Sequence, residues 1–449
     1  MNSSSSAPSP TPKSTPAAAP APAPTPTADS SRPPNRVLWA MLFTLLSGFA
    51  LSQAFRTTTA ILAQGLTAEF GLSPGSLGAF AGLFGLSFGV AQLLMGVGLD
   101  LWGLRRTVLT AFPLAMGGAA LSAAAPGYAW LMVGQLMIGV GCSPAFLACT
   151  LFIARHFPAD RFAYLSGVAM GVGGLGLLFT GTPLAWLVQH GGGWRTGYAV
   201  LAVLSALSWL LIWLRVHEPA PLVPPPAQRE TWGQALLGFG QLLTVPHTWG
   251  ILLLGMSGYA AFLSLRGLWL APLLMDRYHL TLVDSGNVAL GLSLIALFAP
   301  GLAGRLDPGI GRRRRWIGNA SLLMAGLFAL LAFLRVHPAA SVVLILLMGL
   351  LSGYGVLQYA DVRASYPPAL TGRALSAYTM AMFLGVALMQ WFTGIVATWA
   401  QQRGTDPHTA VMLAIAGWLA LASMAFRVLP VSPLVTEKIS LLITNPSLL

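Results

Sequence analysis

The chain has 449 residues; 55% are hydrophobic, only 8% are charged, and the mean hydropathy is +0.72. Soluble globular chains carry about 25% charged residues, so a water-soluble enzyme is excluded. Twenty-four Lys and Arg against twelve Asp and Glu give +12, a balance that points to nucleic acid in a soluble protein but to topology in a membrane protein.

Residues 1–36 are Pro, Ala, Ser and Thr, with ten prolines. They predict a disordered, solvated cytoplasmic tail, because nothing in them can form a core. No basic stretch followed by an apolar core marks a signal peptide there. From Val37 onward the chain is a series of apolar runs, each close to the roughly 20 residues a bilayer crossing needs. We count twelve: 38–64, 76–99, 107–125, 129–153, 163–188, 195–214, 247–273, 284–304, 316–334, 339–360, 374–398 and 408–428. The widest polar break is 215–246 (it contains HEPAPLVPPPAQRE), which divides the runs six and six. The expected organisation is a tail (1–36), a six-span bundle (37–214), a cytoplasmic linker (215–246), a second six-span bundle (247–428) and a second tail (429–449). Cys142 and Cys149 both fall in the fourth run, too few for a disulfide framework or a zinc site, and no metal or cofactor is expected.

With the N-terminus in the cytoplasm, eighteen basic residues fall on the cytoplasmic side, including Arg105, Arg106, Arg155, Arg161, Arg305 and Arg312 to Arg315. Four fall opposite: Arg195, Arg277, Arg335 and Arg403. The positive-inside rule then places both termini in the cytoplasm and accounts for the net charge without nucleic acid. Arg56 and Arg266 remain, inside the first and seventh runs.

The halves repeat. Asp100 and Asp307 follow runs 2 and 8, 207 residues apart; Pro158 and Pro367 precede runs 5 and 11 at an offset of 209; Arg56 and Arg266 are offset by 210. A parallel repeat of six plus six spans implies two bundles facing each other across a cavity at the membrane midplane.

GVGLDLWGLRR (96–106) resembles the loop motif of the major facilitator superfamily, through Gly96, Asp100, Gly103 and Arg105, whereas Leu101 and Leu104 depart from it. A second copy, GRLDPGIGRRRR (304–315), aligns with one extra residue between Asp307 and the glycine, and the loop HFPADR (156–161) is also family-like. The resemblance covers about 38–428 and implies an all-α fold of twelve transmembrane helices in two pseudo-symmetric six-helix bundles, carrying a small solute by alternating access. It also implies that Gly96, Asp100, Gly103, Arg105, Arg106 and Asp307 form a conformational gate latch; setting topology is the alternative role for the arginines. Gln135, in GQLMIGVG (134–141), stands where the resemblance leads one to expect an arginine tied to proton coupling.

Arg56 and Arg266 each lie about five residues beyond the centre of their span, about 7–8 Å toward the outer side. An arginine at that depth costs about 2.5–3.5 kcal/mol on insertion scales. The twelve acids all fall near run ends or in loops, so a substrate anion is the natural partner, because Arg offers paired donors to carboxylate or phosphate. The arrangement resembles that of organic-phosphate antiporters within the superfamily. Snorkelling or bonding to carbonyls is the competing reading. Gln53, Gln135, Tyr259, Gln358, Tyr359 and Tyr378 are mid-span polar residues that can complete the site or simply bond between helices. Asp276, Asp284 and Glu69 are the acids placed to titrate near the outer mouth. The Gly-rich stretches of runs 2 and 5 read as close, sliding helix contacts.

GLSFG (85–89) and GMSG (255–258) imitate serine nucleophile patterns. His156, His190, His217, His247, His279, His337 and His408 all lie in loops or at span ends, leaving no base at membrane depth. The expectation is therefore a monomeric carrier of a small anionic solute, in contact with lipid, in a bacterial inner (plasma) membrane, with an unassigned coupling ion and no enzymatic activity. Its rivals are an efflux pump for hydrophobic compounds, which would favour mid-span carboxylates, and a non-transporting sensor or scaffold on the same fold.

Overall fold

The computed structural model describes residues 35–158, 161–217, 240, 242–334 and 337–437. The side chains of Leu93, Val97, Asp100, Leu101, Phe162, Ala163, Pro368 and Ala369, and the surroundings of Gly96, lie outside the description. Most of the first tail, the linker and the last residues also fall outside it.

Every regular element among the described residues is a helix, and they assemble into twelve crossings. The first joins Asn35–Phe55 to Thr58–Phe70, the second is Pro74–Leu101 and the third Leu104–Ala123. The fourth joins Tyr128–Cys142 to Ala145–His156, the fifth joins Phe162–Phe179 to Thr182–His190, and the sixth is Trp194–Arg215. The seventh runs from Pro246 to Tyr278, the eighth is Leu282–Arg305 and the ninth Ile310–Phe333. The tenth joins Pro338–Leu351 to Gly355–Ser365, the eleventh is Pro368–Gln402 and the twelfth Pro407–Val428. Eleven crossings are long and apolar enough to span a membrane by length and composition alone. The third, whose first turn holds Arg105 and Arg106, completes the set.

The inner irregularities follow the repeat. The first span is interrupted at Arg56 and Thr57, and the seventh widens into a π-helical turn, Leu265–Trp269, around Arg266. The fourth breaks at Ser143 and Pro144, where proline supplies no N–H, and the tenth narrows to a 3₁₀ turn, Ser352–Tyr354. Spans 1, 4, 7 and 10 are thus each irregular near mid-membrane, at offsets of 209 to 210, and broken helices free backbone groups only where protein or a cavity can satisfy them.

The halves meet along two antiparallel seams. Span 2 lays Gly75, Gly78, Gly82, Gly85 and Gly89 against Phe383 to Thr398 of span 11. A Cβ at Gly82 would stand 2.7 Å from the Ala387 carbonyl oxygen, and one at Gly85 would stand 2.9 Å from that of Phe383, so the backbones touch. Span 5 meets span 8 where Gly181 faces Leu290 and Gly174 faces Leu297. Gly174, Gly171 and Gly167 share one helix face, yet a Cβ at Gly171 or Gly167 meets nothing within 4 Å. Gly301, one turn beyond Leu297, is equally free. Spans 5 and 8 therefore part toward the arginine-rich end and close toward the opposite end.

At that closed end each bundle carries a clasp. Glu69, ending span 1, accepts from Arg195 and from Trp194 Nε1 (2.8 Å) at the start of span 6, and Arg195 also reaches the Ala125 carbonyl (3.1 Å) after span 3. In the second half Arg277, ending span 7, pairs with Asp406 (2.7 Å) before span 12 and with the Leu331 carbonyl (3.0 Å) in span 9. The architecture repeats but the signs are exchanged: acid on span 1 and base on span 6, base on span 7 and acid before span 12. Burial raises the Asp406 carboxyl, but bonds from Thr409, Arg277 and the His408 amide, with the Arg277 charge, outweigh it and bring it down to about 2.

Candidate functional site

Arg56 leaves the break in span 1 half-buried and lies against the paired rings of Phe88 (span 2) and Phe383 (span 11), 4.8 Å from each centroid. Those rings lie 4.1 Å apart across the seam. An arginine over an aromatic face gains about 0.5–2 kcal/mol, so the guanidinium helps to hold spans 2 and 11 together. Its Nη1 donates to the Tyr259 hydroxyl and its Nη2 to Ser52 Oγ, both at 3.3 Å, and its Nε has no partner. Tyr259 in turn stands edge-on to Phe383, with centroids 5.7 Å apart.

Arg266 is 0% exposed. Nε donates to Ser293 Oγ of span 8 (2.9 Å); Nη2 donates to the Leu177 carbonyl (3.0 Å) and Thr180 Oγ1 (3.4 Å) of span 5, in the other bundle; Nη1 has no partner. Thr180 also bonds Thr57 (2.6 Å), next to Arg56, and a Cβ at Gly267 would stand 2.8 Å from the Arg56 carbonyl oxygen. The two arginines are therefore near neighbours through their backbones. Among the described residues neither is paired with a carboxylate. A buried charge without a counter-charge is strongly unfavourable, and three hydrogen bonds offset only part of that.

The polar residues singled out in the sequence divide into groups. Gln53 is 7% exposed and its Oε1 is unbonded; Gln135 is 2% exposed. Tyr378 donates to Gln358 Oε1 (2.5 Å), both buried, and leaves Gln358 Nε2 without a partner. Tyr359 is 37% exposed, donates to Met382 Sδ (3.3 Å) and lies edge-on to Tyr378. Tyr259 thus joins Arg56 directly, while Gln358, Tyr359 and Tyr378 form a second cluster toward the arginine-rich end.

Of the expected latch residues, Arg105 and Asp307 bond within their own bundles. Gly96 and Asp100 lie on helix Pro74–Leu101, with side-chain surroundings outside the described residues. Arg105 donates to the carbonyls of Val216 (2.7 Å) and Trp213 (2.9 Å), capping span 6. Arg106 lies exposed beside Trp102 and Thr110 along a surface groove. Asp307 pairs with Arg313 (2.6 Å), whose hydrogen bonds hold its carboxyl below the usual range, and so closes its own loop. Arg314 donates to the Phe426 carbonyl (2.8 Å), capping span 12 as Arg105 caps span 6. The motif alignment also needs correction. Gly103 has φ 80° and Gly309 has φ 79°, each preceding the next helix, so Gly309 and not Gly311 is the counterpart of Gly103. Only glycine adopts that backbone freely.

Asp361 was placed at the edge of the tenth run, but helix Gly355–Ser365 carries it inside. It is 3% exposed, 3.9 Å from Arg314 Nη1, and lines a small cavity with Gln358 and Tyr378. Hydropathy ended the run at 360, and the helix period, which puts Asp361 one turn beyond buried Leu357, was the signal available. Of the acids expected to titrate at the mouth, Glu69 is held by Arg195 and Asp284 accepts from Thr281, the cap of helix Leu282–Arg305, whereas Asp276 faces His408 at 2.9 Å. The serines of the nucleophile lookalikes bond within their own helices: Ser87 Oγ donates to the Leu83 carbonyl (2.8 Å) and Ser257 Oγ to that of Leu254 (2.7 Å).

The family model described as Major Facilitator Superfamily matches residues 44–390. The chain belongs to the major facilitator superfamily. It is similar to the mouse solute carrier family 2 facilitated glucose transporter member 10, 28% identical over 182 residues, which is 39% of this chain and 33% of that protein. It is also similar to the hexuronate transporter of Bacillus subtilis (24% identical, 40% of this chain, 42% of that protein) and to the probable sulfoacetate transporter of Cupriavidus necator (26%, 37% and 38%). These matches span a third to under half of each relative. The fold resembles the crystal structure of a bacterial homologue of the human lysosomal transporter Spinster, inward-facing and unoccupied, with a TM-score of 0.69, 19% identity, and coverage of 88% of this chain and 98% of that one. This superfamily member is thus a multi-pass membrane protein.

Proposed function

We propose that the chain is a secondary transporter of a small organic anion, working by alternating access between its two six-span bundles (37–214 and 247–428, joined by 215–246). The observation that carries this reading is the pair of arginines at membrane depth with no carboxylate partner among the described residues. Each leaves a buried donor, Arg56 Nε and Arg266 Nη1, without an acceptor, and a carboxylate or phosphate is the acceptor that arginine geometry favours. The names of a hexuronate and a sulfoacetate transporter among the relatives support the same chemistry.

In this reading the arginine-rich end faces the cytoplasm, both termini lie there, and the membrane is a bacterial inner membrane. The conformation is then open to the cytoplasm, with Arg56, Tyr259 and Tyr359 toward the open side. Gln53, Gln135, Gln358 and Tyr378 supply polar surface around it. The protein works as a monomer without metal or cofactor, and coupling to an ion or counter-substrate is left open. The test is uptake of radiolabelled glucuronate, sulfoacetate and phosphate into proteoliposomes. Arg56→Ala and Arg266→Ala should each abolish uptake of the transported anion; full activity in both refutes the anion site.

A further inference from the structure

The two arginines are not equivalent in this conformation. Arg56 is half-buried and its hydroxyl partners sit at a long 3.3 Å, geometry that a stronger acceptor would displace. Arg266 is sealed. Its one unpartnered nitrogen has no contact with solvent, and Leu177 and Thr180, which hold Nη2, belong to the opposite bundle. An anion can reach Arg266 only if span 5 withdraws, and span 5 is a wall of the closed end.

Resting on the anion-carrier reading, we infer that Arg266 is a part-time ligand: it binds the anion only while the end opposite the arginine clusters is open, and closure replaces the anion by Leu177 and Thr180. When spans 5 and 8 separate, both partners leave together and Nη2 and Nη1 become available side by side, the arrangement a carboxylate or phosphate fills with two bonds. When they close, the same donors turn to span 5, and the anion is held by Arg56 alone on the side from which it leaves. Arg266 thereby links loss of anion affinity to sealing of the outer gate. A passive lock would also bond span 5, but it would take no part in anion binding from outside.

The experiment measures half-saturation for whichever of glucuronate, sulfoacetate or phosphate is transported, separately from each side of oriented proteoliposomes. A charged hydrogen bond contributes about 1.5–3 kcal/mol, or about 10–100-fold. Arg266→Gln should weaken outer-side binding by about that factor and leave cytoplasmic-side binding within about twofold, whereas Arg56→Gln should weaken both. Gate state is read independently with Leu290→Cys, at the Gly181 contact, in a Cys142→Ala/Cys149→Ala background. A membrane-impermeant maleimide should label it faster in Arg266→Gln than in the parent. If Arg266→Gln folds poorly, Thr180→Val should speed labelling while leaving outer-side affinity intact. Equal weakening on both sides by Arg266→Gln overturns the inference and leaves the anion reading standing, as does unchanged outer-side affinity (a passive lock). Unchanged affinity on both sides in Arg56→Gln overturns the anion reading itself. If no probe is transported, unaltered labelling in both Arg266→Gln and Thr180→Val overturns the inference.

Discussion

Adding one methyl group to span 2 should shift the conformational equilibrium of the whole carrier. A Cβ at Gly82 would lie 2.7 Å from the Ala387 carbonyl oxygen and 3.4 Å from its carbon. Ordinary contact begins near 3.4 Å, so Gly82→Ala asks spans 2 and 11 to part by about 0.7 Å. Neither wall is a side chain that can turn away, and overpacking of this kind costs about 1–3 kcal/mol. The penalty exists only while the seam is closed, so it shifts the equilibrium toward opening of that end by roughly 5- to 150-fold. The assay is the rate at which an impermeant maleimide labels Leu290→Cys on the other seam. The control is Gly171→Ala, whose Cβ meets nothing within 4 Å, and which changes the local helix propensity in the same direction. Labelling should rise several-fold or more in Gly82→Ala and stay unchanged in Gly171→Ala. Equal rates in the two variants, with both folded, would refute the claim that backbone contact along this seam sets the closed state.

The remaining predictions concern stability. The side chain of Arg277 is 6% exposed and that of Arg195 is 39% exposed; Arg277→Gln should therefore cost more stability, about 2–3 kcal/mol against at most about 1 for Arg195→Gln, read as the larger drop in melting temperature in detergent. The Asp406 carboxyl, brought down to about 2 in the folded protein, has an unfolded value near 3.9. Its contribution is complete above about pH 4 and disappears as the pH falls through 2. Asp406→Asn should therefore melt with a shallower pH dependence between pH 5 and 2, by about 1–2 kcal/mol after screening; parallel curves would contradict this. Gly103→Ala and Gly309→Ala should each lose about 1–3 kcal/mol of stability, because both sit at positive φ. Gly311→Ala should lose nothing of that kind, which checks the corrected alignment by calorimetry or thermal shift.

The number of spans, their division and the offset of about 209 were legible because apolar length and loop charge are linear properties of the chain. Arg56 and Arg266 stood out for the same reason: a charge inside an apolar run needs no structure to be noticed. What they touch was not legible. The partners of Arg266 are a carbonyl and two hydroxyls, groups that every span offers, and only packing selects Leu177, Thr180 and Ser293. The π-helical turn at Leu265–Trp269 holds one glycine, Gly267, but regular spans of this chain carry glycines too, so it does not announce the turn. Asp361 was misplaced because hydropathy averages over a window, whereas burial depends on the face a single residue presents. Arg105, read as a possible latch, caps the last helix of its own half, and Arg314 does the same in the second half. Charge marks where an ion pair is available, and distance in the fold decides whether the partner is a carboxylate or a helix end.

The exchanged signs of the two clasps bear on how such a chain is assembled. The halves repeat one architecture, so span 12 stands to span 7 as span 6 stands to span 1. Correct pairing brings Glu69 to Arg195 and Arg277 to Asp406. If span 12 took the place of span 6, Asp406 would meet Glu69; if span 6 docked on span 7, Arg195 would meet Arg277. Both mistakes oppose like charges at the membrane surface. The charges of the two clasps thus match each half to its own last helix and oppose the exchanged pairing.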